Sequence, residues 1–506
     1  MGRRNRSRTA RDRAAVSPDR PARVYVPVTW QQYDLLVDSF AHRGTGRHVE
    51  QLTWCWHGPL DTERFTAAWQ SVVDRETVLR SGFLWGTRPR VVFHERAHAE
   101  VVRHPAAGVD WRELVERDRL RGFDLRRPCP LRITLVGPTS QAPAHSRPGG
   151  AVPVTRVLVT FHQALLDTWS VFILLEEFCR AYLAGGVLPG GERRPDLRDW
   201  ARWLERQDSA PARDFWSRAV PGDAPVVLPL LPGPATAQSG CGRAQARLSA
   251  AEAERLHHWA AARAVPDSGV LQAVWALLLY RAARTEGTAL VGFGVAVSGR
   301  GVAMDSVERL LGPMRTCLPM VVRIDPDHRM GRLLATLRDG SLDMAAYEWV
   351  SAGQIHEWTG RTARGDRLLD SLVALESTPR PLGDLHAELA DAGIRLELKD
   401  TRDAHPAFPV ALVAHRGGDG SLNLALAHDR ARVSDADAEL LVGHCARLLR
   451  RLPATTSTTT VSDVLSALDG DEPPRGAPPR RKGNAVRLRL RSTGGRGAVE
   501  RAASES

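Results

Sequence analysis

Apolar positions along this 506-residue chain follow two periods. Over residues 65–75, Phe65, Ala68, Trp69 and Val72 recur at intervals of one, three and four, the spacing of one helix face. Residues 170–184, 196–207, 250–262, 269–283 and 435–452 repeat that pattern and predict further helices. Short Val-rich runs at 90–93, 154–161, 290–297 and 318–324 predict strands. The run Val157-Leu158-Val159-Thr160-Phe161 is almost continuously apolar, as a strand covered on both faces requires. Gly185-Gly186 ends the helix that follows it. Helices and strands mix throughout, which predicts an α/β fold in two blocks joined by a Gly- and Pro-rich connection.

Charge refines that layout. The chain carries a formal +11, but residues 1–23 hold +6 and residues 473–506 hold +7, so the part between is slightly acidic. Both ends are rich in Arg, Pro, Gly and Ser and bury too little apolar surface to fold alone. The expected organisation is a disordered Arg-rich tail at 1–23, a first lobe at 24–187, a connection at 188–245, a second lobe at 246–455 and a disordered basic tail at 456–506. A basic face on the folded part, the footprint of a nucleic-acid binder, is missing from this distribution. Specific nucleic-acid binding is therefore not expected.

Other classes fall on composition. No run of 18 or more apolar residues suggests a membrane span, and the Arg-rich start has no apolar core of a secretory signal. The two lysines, Lys399 and Lys482, are followed by Asp400 and Gly483, so no phosphate-binding G-K-[ST] loop exists. The six cysteines show no C-x-x-C spacing. Reduced thiols in a cytoplasmic protein are the expectation.

The predicted strand ending at Phe161 meets the next helix through Phe161-His162-Gln163-Ala164-Leu165-Leu166-Asp167-Thr168-Trp169-Ser170. Strand-to-helix junctions are where open α/β sheets expose functional groups. This segment resembles the H-H-x-x-x-D-G motif of nonribosomal peptide synthetase condensation domains, within the chloramphenicol-acetyltransferase-like acyltransferases. Further stretches resemble the family's other motifs: Thr29-Trp30-Gln31-Gln32, the run from Arg75 to Phe83, Phe123-Asp124-Leu125 with Pro130-Leu131-Arg132, the joining segment from Arg198 to Trp216, Ser298-Gly299-Arg300, and Gly312 to Pro319. The resemblance spans about residues 25–455. It implies two chloramphenicol-acetyltransferase-like lobes in a V, with a tunnel at their interface.

Several motif positions depart from the family. Its second His, implicated as a general base or as the group that positions the acceptor, precedes the motif Asp by four residues; that place is held by Gln163, while His162 takes the place of the first His. Glutamine donates and accepts hydrogen bonds but takes no proton near neutral pH. Thr168 replaces the usual Gly, and Thr316 the Asn of the later motif. The resemblance gives Gln163 and His162 as the catalytic pair, and Asp167 with Arg300 as its structural partner. Trp169, Ser170 and Thr316 line or support the site.

The implied function is a free-standing, monomeric condensation-like protein. It joins a carrier-bound acyl thioester to an amine or hydroxyl acceptor without the usual His. Its partners are peptidyl or acyl carrier proteins met in trans, with a small-molecule or carrier-bound acceptor. No cofactor is bound permanently; the phosphopantetheine arm arrives with the carrier. The alternative is a non-catalytic relative that binds carriers or recruits a tailoring enzyme. A remote third reading is zinc hydrolysis, because His94-Glu95-Arg96-Ala97-His98 matches H-E-x-x-H and His104 follows. That chemistry needs a helix to bring both His to one metal, whereas Val91-Val92-Phe93 before it and Val101-Val102 after it predict two strands around a turn. No metal site is expected.

Overall fold

The computed structural model describes residues 25–468, except 139–151, 192, 221–235, 237, 239, 285–286, 360–368, 377–381, 383–384 and 403–407. The tail expected at 1–23 and most of that expected at 456–506 lie outside the described residues.

The first lobe contains β1 (Tyr25–Pro27), α1 (Trp30–Ala41), β2 (Val49–His57), α2 (Thr62–Arg75), β3 (Ser81–Leu84), β4 (Arg90–Phe93), β5 (Glu100–Pro105), α3 (Trp111–Arg121), β6 (Leu131–Gly137), β7 (Val154–His162) and α4 (Thr168–Leu183). Asp61 caps α2 by accepting from Glu63 and Arg64 N–H, and the face carrying Phe65, Ala68, Trp69, Val72 and Val73 is buried. That face meets α4, where Phe178 stacks on Trp69 with ring centroids 4.7 Å apart. Both helices cover the side of the sheet that carries Leu52, Trp54, Trp56, Val157, Val159 and Phe161. Leu158 points the other way and packs with Leu114 and Val115 of α3. β7 is thus covered on both faces, which explains its unbroken apolar run.

The joining segment holds two helices, α5 (Leu197–Glu205) and α6 (Ser209–Ala219). The second was not legible from its periodicity, because Ser209, Pro211 and Arg213 interrupt the apolar pattern; Ala212 and Trp216 nevertheless enter the second core.

The chain from there on contains β8 (Cys241–Leu248), α7 (Ala250–Ala261), α8 (Asp267–Ala283), β9 (Ala289–Val297), β10 (Thr316–Ile324), α9 (Met330–Ala345), α10 (Ala352–Trp358), β11 (Ser371–Glu376), α11 (Leu385–Asp391), β12 (Arg395–Arg402), β13 (Val410–Arg416), β14 (Leu422–Asp429), α12 (Asp435–Arg451) and α13 (Val461–Leu465), and all of these but α11 and β12 build the second lobe. Its six-stranded sheet runs β10-β9-β11-β13-β14-β8. α8 is buried on nearly every side from Gly269 to Tyr280, a helix inside the core.

Two boundaries differ from the expected ones. β12 leaves the second lobe and pairs antiparallel with β2, completing the order β12-β2-β7-β6-β5 in the first. Leu385, Leu389, Ile394 and Leu396 therefore belong to the first core. Folded chain also continues past 455: Val461, Val464 and Leu468 pack into the second core. That segment is too short to show a period, so the sequence alone put it in the tail.

Candidate functional site

β2 and β7 pair antiparallel, with Val49 opposite His162 and Glu50 opposite Phe161. The ladder continues one step, where Gln163 N–H donates to His48 C=O at 2.9 Å. Opposed residues share a face and neighbours alternate. His48, Glu50 and Gln163 therefore meet on one face, and His162 lies on the other. His48 adopts φ +60°, a left-handed conformation that costs a non-glycine residue on the order of 1 kcal/mol.

These side chains form a chain of hydrogen bonds. His48 Nε2 is 2.6 Å from Asp38 Oδ2, and His48 Nδ1 is 3.0 Å from Gln163 Oε1. The Gln163 amide donates to Glu50 Oε1, and Thr168 Oγ1 donates to Glu50 Oε2 at 3.1 Å. Burial pushes the Asp38 carboxyl up, but the hydrogen bond and charge of His48, with the charges of Arg47 and His42, outweigh it and hold it below the ordinary carboxylate range.

Asp167 sits one turn away at the N-cap of α4, accepting from Ser170 N–H at 2.8 Å. Arg300 donates to both of its oxygens, at 2.7 and 3.0 Å, and the N–H groups of Met314 and Arg315 add bonds of 3.1 Å each. Gly299 makes the Arg300 turn possible: it has φ +68°, and a Cβ there would lie 2.0 Å from Met314 O. Ser170 Oγ accepts from Gly312 N–H at 3.0 Å and Arg300 Nη2 at 3.2 Å. Trp169 Nε1 donates to Glu308 C=O at 2.9 Å. Ser170 and Trp169 therefore bind the lobes together from behind the site.

Between the lobes lies a cavity of about 250 Å³. Asp34, His48, Glu50, Gln163 and Asp167 line it from the first lobe, and Arg315, Thr316, Cys317 and Ser351 from the second. Burial raises Asp34 to about 6 and Cys317 to about 12, so the thiol stays protonated and is no nucleophile. Arg315 is paired with Glu376 at 3.1 Å.

His162, expected as a catalytic partner of Gln163, does not reach the cavity. Its Nδ1 accepts from Ala164 N–H at 3.1 Å and its Nε2 lies 3.2 Å from Ser39 Oγ. Burial, with the nearby charge of His48, depresses it to about 3. Strand alternation sends it away from Gln163, and it stays a neutral packing group. The zinc pattern does not assemble either. Residues 94–99 connect β4 to β5 with no helix. Among the described residues, the groups whose donor atoms do converge within 4.8 Å are Cys55, His57 and Glu397, at the far end of β2.

Sequence reasoning missed His48, Glu50, Asp38 and Asp34. One signal was present: Glu50 is a charged residue in an otherwise buried strand, and His48 stands two positions before it, on the same face. The partner Asp38 carried no signal, since only the fold brings α1 beside that strand.

Comparison with known proteins agrees with this architecture. Two lobes built on separate sheets, closing on a shared cavity, are the arrangement of the chloramphenicol-acetyltransferase-like class. A family model described as the Condensation domain matches residues 24–469, and the chain belongs to that family of nonribosomal peptide biosynthesis. It is 28% identical over 382 residues to one of the linear gramicidin synthase proteins of Brevibacillus parabrevis, covering 72% of this chain and 5% of that protein. It is likewise 28% identical over 438 residues to chondramide synthase cmdD of Chondromyces crocatus, covering 82% of this chain and 10% of that one. The chain thus spans a small part of these relatives. Among solved structures, the X-domain from teicoplanin biosynthesis superposes with a TM-score of 0.67 at 21% identity, over 89% of this chain and 98% of that one. The first condensation domain of the calcium-dependent antibiotic synthetase, with a substrate analogue, gives 0.69 at 18%, over 87% and 98%. Among the described residues, no helix is long and apolar enough to cross a membrane.

Proposed function

We propose that this chain catalyses condensation: an acyl thioester borne on the phosphopantetheine arm of a carrier protein is transferred to an amine or hydroxyl acceptor. The observation that carries this reading is the inter-lobe cavity, which holds ionisable side chains although Gln163 replaces the motif His. A cavity of about 250 Å³ suits the reacting ends of two substrates rather than whole ones. That agrees with a donor delivered on a flexible arm. Positioning two bound reactants supplies much of the acceleration in such a transfer. Unpaired thiols at all six cysteines support action in the reducing cytoplasm.

The test is a reconstituted assay in which aminoacyl-loaded carriers serve as donor and acceptor and amide product is followed by mass spectrometry. Product that disappears when the cavity is blocked by Ala296→Trp supports the reading. A protein that binds loaded carriers but forms no product contradicts it.

Gln163 itself favours a second reading, a non-catalytic carrier-binding or recruiting protein. A structural relative, the teicoplanin X-domain, has been captured in complex with OxyB. Under that reading Gln163→His converts an inactive protein into an active one, because the proton acceptor alone was missing.

A further inference from the structure

The hydrogen bonds joining Asp38, His48, Gln163 and Glu50 admit only certain proton positions. An ionised Asp38 accepts only, so His48 Nε2 donates to it. The Gln163 amide then has two orientations. With Oε1 toward His48, as observed, His48 Nδ1 donates and the ring is an imidazolium, while the amide N–H donates to an ionised Glu50. With the amide turned over, its N–H donates to a neutral His48, and Glu50 must be the acid that donates to Oε1. A neutral His48 therefore stays bonded only if Glu50 is protonated, whereas the imidazolium lets Glu50 be ionised or protonated, because a carboxylic acid keeps one accepting oxygen for the amide N–H.

We propose that Glu50 takes the acceptor's proton and that Gln163 couples the charge of Glu50 to that of His48. This rests on the condensation reading above. As the acceptor nitrogen bonds to the thioester carbon and the carbon–sulfur bond breaks, the nitrogen's proton passes to the Glu50 carboxylate. Glu50 then returns it to the departing thiolate, so the thiol is released with no net change in protonation. Glu50 is the catalytic residue because it faces the cavity. His48, Gln163 and Asp38 are positioning residues, which keep Glu50 ionised before each turnover.

Other charged groups surround this chain without replacing it. Arg47 and His42 share the Asp38 carboxylate, at 2.9 and 3.2 Å. His162 lies with its ring centroid 6.5 Å from that of His48 and stays neutral. Asp34 lines the cavity from α1, Asp167 is held by Arg300, and Arg315 is held by Glu376.

The coupling is testable without a substrate. Imidazole 15N shifts of histidine-labelled protein report the His48 titration, assigned by the signals lost in His48→Gln. Glu50→Gln is expected to lower its midpoint by about one pH unit or more, because a neutral His48 then satisfies the chain. In a Gln163→Met background, the same substitution is expected to have little effect. An equal shift in both backgrounds means plain charge attraction and overturns the coupling, as does no shift in either. In the condensation assay, Glu50→Gln is expected to lower kcat by about 10²–10⁴-fold with little change in KM, and Glu50→Asp to restore part of it. An unchanged kcat overturns Glu50 as the base. If the wild-type protein forms no product, the condensation reading and the catalytic step fail together, and the 15N titration still decides the coupling.

Discussion

Arg300 of the second lobe grips Asp167 of the first through two parallel hydrogen bonds, with both side chains almost wholly buried. The carboxylate also caps α4 and accepts two backbone N–H groups just before β10. One residue therefore fixes a helix start, an inter-lobe contact and the cavity wall.

Breaking that pair leaves an uncompensated buried charge. Arg300→Met is expected to cost about 3–5 kcal/mol of unfolding free energy. The double variant Arg300→Met, Asp167→Leu should cost clearly less than the two single changes combined. Urea denaturation of the four proteins measures this; strict additivity would mean that the ion pair contributes nothing of its own.

His162 predicts a loss of stability in acid. Its pKa falls from 6.5 when unfolded to about 3 when folded. Below pH 6.5 the unfolded chain takes a proton that the folded chain refuses, so stability declines as pH falls from 6.5 toward 3, by up to about 1.4 kcal/mol per unit. His162→Asn should be less stable at pH 7.5, and its deficit should shrink by pH 5. Thermal melts of both proteins at the two pH values check this.

Asp34 predicts the opposite sign. Burial raises its folded pKa from 3.8 to about 6. The folded state therefore binds the proton more tightly, and its stability declines as pH rises from about 4 through 6. Asp34→Asn should raise Tm at pH 7.5 relative to wild type and give almost no gain at pH 4. An equal gain at both values would mean the effect is packing rather than ionisation.

The α/β class, the helices α2, α4, α5, α7, α8 and α12 and the strands β4, β7, β9 and β10 were legible because they depend on local pattern. Residues 65–75 show a helical period that their sheet-facing side requires, and the apolar run at 157–161 shows a doubly covered strand. What was not legible depends on chain segments far apart in sequence. β12 crosses into the first lobe, which no local period announces. His48 and Glu50 become functional only because β2 lies in register with β7, and Asp38 because α1 folds back beside His48. The adjacency of His162 and Gln163 misled for the same reason: neighbours in a strand face opposite ways.

The most direct measurement of the central claim is single-turnover amide formation between two aminoacyl-loaded carriers, with wild-type protein and Glu50→Gln compared across pH 6–9. Condensation through this cavity predicts product with the wild type and a rate about 10²–10⁴-fold lower with Glu50→Gln. Wild-type protein that binds both carriers and yields no product at any pH would contradict it.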